Sequence, residues 1–559
     1  MAGIADILDM GRRALMTHQR TIAVLSHNIA NVNTPGYSRQ EVIYRTADPP
    51  EGFIGNGVEI QQVRRVVDKF LEAQIILEQS TFGRLGVEKN MLNRVEAVFL
   101  DGSNEGIDAV ITEFFAAVHD LANNPSGVSE RIVLMERGDR LAQRFRETSH
   151  NFQTLRQDAD SEMKERIKEV NRYATQIADL NLRIRRVEND GEGALDLRDE
   201  RTRLVNRLSE EIEIHLLNDD AKDFNLVVGR GGATAPLVLG DDAYPIALVS
   251  NPDNAGFSDI VTDANSQRIK VTDLLTSGRI GGLINLRDRL LPDWMNRLDK
   301  LSASIMNEFN LQHRAGFGLD GSTDVNFFLP FETTPMISPL NANQGGATVT
   351  AEVAPLPENP DGLDPPPTAE PLQFDPYQLS FSDDQYLLRN LKTGAEITTL
   401  DTEILFEGMA ISITGAMLDG DRFNISFHKD VAGAMEISLS DPRKIAAATD
   451  AETLPGGNAN MLLLAQLQEK TTVALGDTIQ GFYGSFVGEV GSRSQQATTH
   501  LAVEETTRAR LESMREEVQG VSLDEEMTRL IQFQRSYQAS ARMVTTADEL
   551  FETVIGLKR

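Results

Sequence analysis

Few side chains of this sequence stand where they could do chemistry together. His27, in the stretch "SHNIANVNTPGYSRQ" (residues 26–40), could act as a general base, but it has no evident nucleophile to work with. The eight histidines are scattered, and no H-E-x-x-H pair or close His–His spacing offers a zinc site. In "GLDGSTDVNFF" (318–328), Asp320, Asp324 and Asn326 could ligate calcium. Their order does not fit an EF-hand loop, and an Asx-stabilised turn explains them better. "VVGRGGATAP" (227–236) clusters glycines, but Pro236 and the strand-like flanks deny the helix that a dinucleotide fold needs, so a hairpin turn is expected. There is no G-x-x-x-x-G-K-[ST] loop and no G-x-S-x-G elbow. Asp524, Glu525 and Glu526 in "SLDEEMTR" complement the dipole of a helix's first turn, a sufficient structural reason without catalysis. The expectation is a protein with no catalytic residues, no bound cofactor and no metal ligands.

The elements around these residues say more. Leu8, Leu15, Ile22 and Ile29 fall seven apart, with Ile4, Gly11, His18, Leu25 and Val32 between them at coiled-coil offsets. At the other end Leu523, Leu530, Tyr537, Val544 and Phe551 repeat by seven, and Phe533, Ala547 and Val554 fill much of the neighbouring row. Ser522 followed by Glu525 resembles a capping box opening this second helix. So narrow an apolar seam cannot bury itself on an isolated helix. Either the termini pair with each other, or each pairs with a neighbouring molecule, or each covers a local core.

Between the ends, Met163, Val170, Ile177 and Ile184 repeat by seven in a stretch free of Gly and Pro from Asp139 to Asp190. "GEGALDLRDERTRLVNRLSEE" then predicts a break and a returning helix. Further helices are expected over about 290–313 and about 495–518. Residues 212–275 and 331–440 alternate like antiparallel strands, as in "FNLVVGR" and "MAISITG". The proline-rich "PLPENPDGLDPPPTAEPLQFDP" (355–376) predicts an extended surface loop.

With 559 residues the chain suits three or four domains of ~150 residues each. A net charge of −30 argues against nucleic acid and for a particle that repels its own kind except at specified contacts. The absence of cysteine removes disulfides, thiolate metal sites and cysteine nucleophiles, and leaves the redox compartment open. The opening "MAGIADILDMGRRALMTHQR" has charges among its apolar positions, so no cleaved signal is expected. No run of ~18 apolar residues predicts a membrane span.

The two terminal stretches together resemble the signature of bacterial flagellar axial proteins, the rod, hook and hook-associated proteins. In that family an N-terminal heptad helix ends in a segment like "HNIANVNTPGY", and a C-terminal helix carries a pattern like "SLDEEMTRLIQFQRSYQASARMVTTADELFETVI". The continuation "TPGYSRQ", the hairpin "ALDLRDERTRLVNRLSE" and "SGRIGGLINLRDRLLPDWMNRLDKLSASIMNEFNLQHRAGF" are most similar to the hook-associated branch.

The resemblance implies a mainly α fold with β insertions. Terminal helices pair as a coiled coil, a long helical bundle forms the core domain, and one or two antiparallel β domains project outward. The expected organisation is an N-terminal coiled-coil helix (1–40) pairing with a C-terminal one (521–559). Helical core segments span 41–211, 276–330 and 441–520, with β insertions at 212–275 and 331–440. The assembly interface is expected at Leu8, Leu15, Ile22, Leu25, Ile29, Leu523, Leu530, Phe533, Tyr537, Val544 and Phe551. Asn31, Asn33, Pro35 and Gly36 are expected to form the helix-terminating turn. There Pro35–Gly36 suits a type II turn, and the two asparagines tolerate left-handed geometry. Gly36→Val is expected to impair assembly more than monomer stability.

The implied role is structural and non-enzymatic, a junction layer between hook and filament. The implied partners are other copies of the chain, the hook protein and a second junction protein. They also include a cytoplasmic chaperone on the C-terminal helix and the flagellar type III export apparatus, with neither nucleic acid nor membrane insertion. The implied location is the extracellular flagellum, after a transient stay in the cytoplasm. A hook or distal-rod subunit is the alternative within the family. An adhesin or enzyme carried in the β insertions is the alternative from another class.

Overall fold

The computed structural model describes residues 2–47, 57–99, 106–190, 193–218, 224–229, 234–264, 267–330, 336–337, 346–354, 372–426 and 429–556. The chain opens with α1 (Ala2–Ala30) and turns into a hairpin of β1 (Gln40–Thr46) and β2 (Val58–Arg65). Then come α2 (Lys69–Phe99), α3 (Ile107–Asn123), α4 (Val128–Asn189) and α5 (Leu195–Glu211). After a first set of strands come α6 (Gly278–Asn285) and α7 (Leu291–Arg314). A second set leads to the short α8 (Val431–Ala434), α9 (Ala459–Gln466), α10 (Ile479–Gln519) and α11 (Leu523–Gly556).

The long helices follow from apolar rows that find cover on both sides. Met163, Ile167, Val170, Ala174, Ile177 and Ile184 are all buried along the far half of α4, where α5 returns beside it. Gly138 interrupts the near half because a Cβ there would meet the Phe327 ring at 2.8 Å. Between α6 and α7 the helix widens into a π turn, Leu286–Leu290, just before Pro292. Proline cannot donate to the preceding turn, so the register relaxes there. The same turn buries Arg287, which pairs with Asp160 at 2.5 Å and Asp288 at 2.7 Å.

Both strand-rich segments form antiparallel sheets. The first makes a four-stranded sheet (His215–Asn218, Asn225–Val228, Ala235–Leu239, Asp242–Ala243 in spatial order) and a three-stranded one from Ile246–Ser250, Ser258–Ala264 and Gln267–Lys270. Val228 pairs with Ala235, so the strands flanking the glycine cluster pair as antiparallel neighbours, while residues 230–233 lie outside the described residues. The second segment makes a five-stranded sheet that includes Tyr377–Ser382 and Gln385–Asn390, and a three-stranded one around Met409–Thr414.

Among the described residues two large apolar cores result, with a small cluster of Leu71, Ile75 and Leu511 between α2 and α10. One joins the first strand set to α4, α5 and α6, through residues such as Val170, Val205, Leu226 and Leu283. The other joins the second set to α3, α7, α9 and the start of α10, through Phe114, Trp294, Leu379, Met461 and Phe486. The strands therefore share cores with the helical stem. Neither core draws on α1 or α11.

Three features depart from the sequence reading. Gln40–Thr46 and Val58–Arg65 pair as antiparallel strands against α1 where the segment beginning at 41 reads as helical. Their buried positions include the polar Gln40, so the apolar alternation that marks a strand is weak. Helix α10 starts at Ile479, not near 495, although Gly481, Gly484, Gly488 and Gly491 interrupt it. Burial of Ile479, Tyr483, Phe486 and Val490 outweighs a cost of about 1 kcal/mol per glycine. The proline-rich stretch lies outside the described residues up to 371, and its described end buries Leu372, Phe374 and Asp375 where a surface loop is expected.

Candidate assembly interface: the terminal helix pair and its corner

Helices α1 and α11 lie against each other along most of their length. They approach through small side chains. A Cβ on Gly11 would sit 2.6 Å from Val544 Cγ2, and Ser540 and Ala547 are buried on the facing row. Midway, Phe533 packs between His18 (ring centroids 5.8 Å apart) and Tyr44 of β1 (6.2 Å). Tyr44 is fixed in turn by Thr21, hydroxyl to hydroxyl at 2.9 Å. Burial alone holds the His18 imidazole below its ordinary pKa.

At the base the contact becomes polar. Asn28 is fully buried and uses both ends of its amide. Its Nδ2 donates to Gln40 O (2.9 Å) and Glu526 Oε2 (2.9 Å), while Oδ1 accepts from Gln40 N (3.0 Å) and the Tyr37 hydroxyl (2.8 Å). One side chain thus joins α1, the corner, β1 and α11.

The corner follows from its residues. Helix α1 ends at Ala30, and Tyr37 N donates to Thr34 O (3.2 Å) across Pro35 and Gly36, with φ +78° at Gly36. Asn31 Nδ2 donates to His27 O (3.0 Å) and Asn31 Oδ1 accepts from Thr34 Oγ1 (3.1 Å). Neither Asn31 nor Asn33 adopts a positive φ, because the left-handed step falls on glycine, where it costs least. His27 Nδ1 lies 3.1 Å from the Tyr37 hydroxyl and Nε2 lies 3.5 Å from Asp196. Burial, then the carboxylates of Asp196, Asp199 and Glu526, push the Tyr37 phenol well above its ordinary pKa. A tyrosine held protonated beside an imidazole serves as a hydrogen-bonded prop.

Around it the corner is clamped on several sides. Helix α5 supplies Asp199, which accepts from Ser38 N (3.1 Å) and Arg65 Nη1 (2.7 Å), and Asp196, which accepts from Gln40 Nε2 (2.8 Å). From the end of α10, Gln519 O accepts from Arg39 N (2.8 Å), and Arg515 Nη2 donates to Gly36 O (3.2 Å). Glu525 turns toward Arg39 (3.4 Å), an ion pair that a capping-box reading of the residue does not anticipate. A cavity of about 640 Å³ remains between residues 31–37 and 512–521.

The expected interface residues divide into classes. Leu25 is buried, while Leu8, Leu15, Ile22, Ile29, Leu530, Phe533, Val544 and Phe551 are half-buried. Leu523 and Tyr537 stand 46% and 37% exposed, on the flank of α11. The buried row is instead Glu526, Ser540 and Ala547, with half-buried Phe533 between them, against Gly11, Thr21, Leu25 and Asn28. Small and polar residues allow the closest approach, so the bulkier heptad row is displaced to the side. Asn28, Thr21, Ser540 and Glu526 were not expected; the signal for them is a polar residue recurring at seam spacing.

The remaining chemical candidates have structural partners. Asp320 Oδ1 accepts from Ser322 N (3.0 Å) and Oγ (2.6 Å), an Asx turn, and Asp324 pairs with Arg314 (2.6 Å). His313 is buried, with Nδ1 2.6 Å from Val325 O and Nε2 accepting from Ala446 N (3.0 Å), and burial lowers its pKa to about 4. Among the described residues no group of three His, Cys, Asp or Glu side chains could hold a metal ion, and no helix is long and apolar enough to cross a membrane.

Three family models match the chain. Residues 92–328 match the helical domain of flagellar hook-associated protein FlgK, 8–37 match the flagella basal body rod protein, and 515–557 match the C-terminal part of basal body rod FlgEFG proteins. Flagellar hook-associated protein 1 of Escherichia coli is 26% identical over 570 residues, covering 99% of this chain and 100% of that protein. Its Bacillus subtilis counterpart is 24% identical, covering 98% and 97%. The solved structure of the flagellar hook junction protein FlgK from Burkholderia pseudomallei covers 80% of this chain and 100% of that one, with a TM-score of 0.64 at 19% identity, and shares its fold. Terminal axial motifs, a helical stem matched between them and relatives aligned over their whole length agree: from end to end the chain is similar to flagellar hook-associated protein 1.

Proposed function

We propose that this structural protein of the hook–filament junction works through its terminal pair, which is its assembly surface. The observation that carries the reading is apolar surface left open on α1 and α11. Met16 is 57% exposed, Leu523, Met527 and Ile531 between 46% and 47%, and Leu550 and Ile555 about half. Among the described residues neither helix contributes to either large core, and a neighbouring molecule is the proposed cover for what they leave open. Burying one Leu, Ile or Met fully is worth about 1.5–3 kcal/mol. Several such side chains repeated in every subunit can hold a layer together without a covalent step, and head-to-tail contacts that do not close generate helical assemblies.

On this reading the protein makes and breaks no bond. The layer binds the hook protein on one side and a second junction protein on the other. Before assembly the same open face of α11 suits a cytoplasmic chaperone, and the unfolded chain leaves through the flagellar type III apparatus. Deleting the protein tests the position in the series. Hooks should form but carry no filaments, with monomeric flagellin accumulating in the medium; loss of the hook itself would move the protein to an earlier place.

A further inference from the structure

We propose that the two ends of α11 meet in neighbouring copies, the apolar base of the helix in one molecule seating in the groove at its far end in the next. This rests on the reading that the terminal pair is the assembly surface, and adds which patch meets which. Near the far end, α1 and α11 leave a groove of about 290 Å³ lined by Ile7, Met543, Thr546, Ala547 and Leu550, with Arg542 beside them. Ala547 is buried at 2% exposure, whereas Ile7, Met543 and Leu550 are 39–51% exposed, so the groove is apolar and open.

At the base, Leu523, Met527 and Ile531 recur every four residues and make one exposed apolar strip. By the helical repeat of ~100° per residue, strip and groove lie on different flanks of α11, with Met527 and Thr546 ~29 Å apart along the axis. One molecule therefore cannot close the contact on itself. Joined between copies, two unlike patches make a heterologous contact that propagates along an assembly.

Charge selects the same pairing. The charged side chain lining the groove is Arg542. The base strip is flanked by exposed Asp524 and Glu525. In a chain of net charge −30, a contact that sets acid against arginine is one of the few that two copies can make without repulsion.

The absence of cysteine makes the test direct. Met527→Cys and Leu550→Cys variants are co-expressed in cells lacking the native protein, and isolated flagella are treated with a short bis-maleimide. The expected product is a cross-linked dimer when both variants are present and monomer when either is alone. Flagella carrying both variants without the dimer, or dimers formed equally by one variant alone, would overturn the pairing. In parallel, Arg542→Glu should lower incorporation about ten-fold and Asp524→Lys in the same chain should restore it; no restoration counts against the charge match. These outcomes concern the pairing alone, because failure of the underlying reading shows separately, as normal incorporation of seam variants.

Discussion

Asn28 is the residue on which the terminal pair depends most. Replacing it with Leu strands the Gln40 N–H and the Glu526 carboxylate in a buried site, at about 1–3 kcal/mol for each unpaired group. Urea unfolding of the purified monomer, with hydrogen exchange read over residues 523–533, should show α11 released before either core. Gly36 has a second constraint beside its φ of +78°. A Cβ there would sit 2.6–2.7 Å from the Arg203 side chain. Gly36→Val should therefore destabilise the monomer by at least about 2 kcal/mol, read from the same urea curves. This weighs against the expectation that assembly would suffer more than monomer stability, because the turn touches α5 within the chain. The turn itself was legible, since Pro–Gly after a helical row has a local meaning. Asn28 was not, because its partners lie at residues 37, 40 and 526, and no local pattern joins them.

Elements differ in legibility for a physical reason. Helix α4 repeats apolar residues every turn and was readable, whereas the β1–β2 hairpin rests on α1 and needs little apolar alternation of its own. Helix α8 is likewise invisible in sequence, being four residues held by Asp299 of α7, whose carboxylate accepts from Asp430 N (3.1 Å) and Ala432 N (2.9 Å). Burial raises the Asp299 pKa to about 7, against the pull of those two N–H donors. Because the folded value lies above the unfolded one, this group's contribution to stability is fully present below about pH 4. It is lost as pH rises through 7. Asp299→Asn should flatten the dependence of the melting temperature on pH between about 4 and 7, as measured by calorimetry on both proteins. An unchanged slope would mean that another group sets it.

At the scale of the whole molecule, the proposed assembly surface is separate from the two large cores of the described residues. Two cores fold the stem with its sheets, and the terminal pair, tied to them through the corner, keeps apolar surface in reserve. That division was foreshadowed by heptad rows at both ends of the chain. What the rows did not disclose is that the closest contact uses Gly11, Ser540 and Ala547, leaving the larger side chains half-open on the flanks. The most direct measurement compares wild type with Leu15→Asp and Leu530→Asp in cells lacking the native protein, scoring each variant in the medium and on isolated flagella. A carboxylate buried at either position has no partner and costs several kcal/mol, so both variants should be exported and folded in the medium but missing from flagella. Incorporation of either at the wild-type level would contradict the terminal pair as the assembly surface.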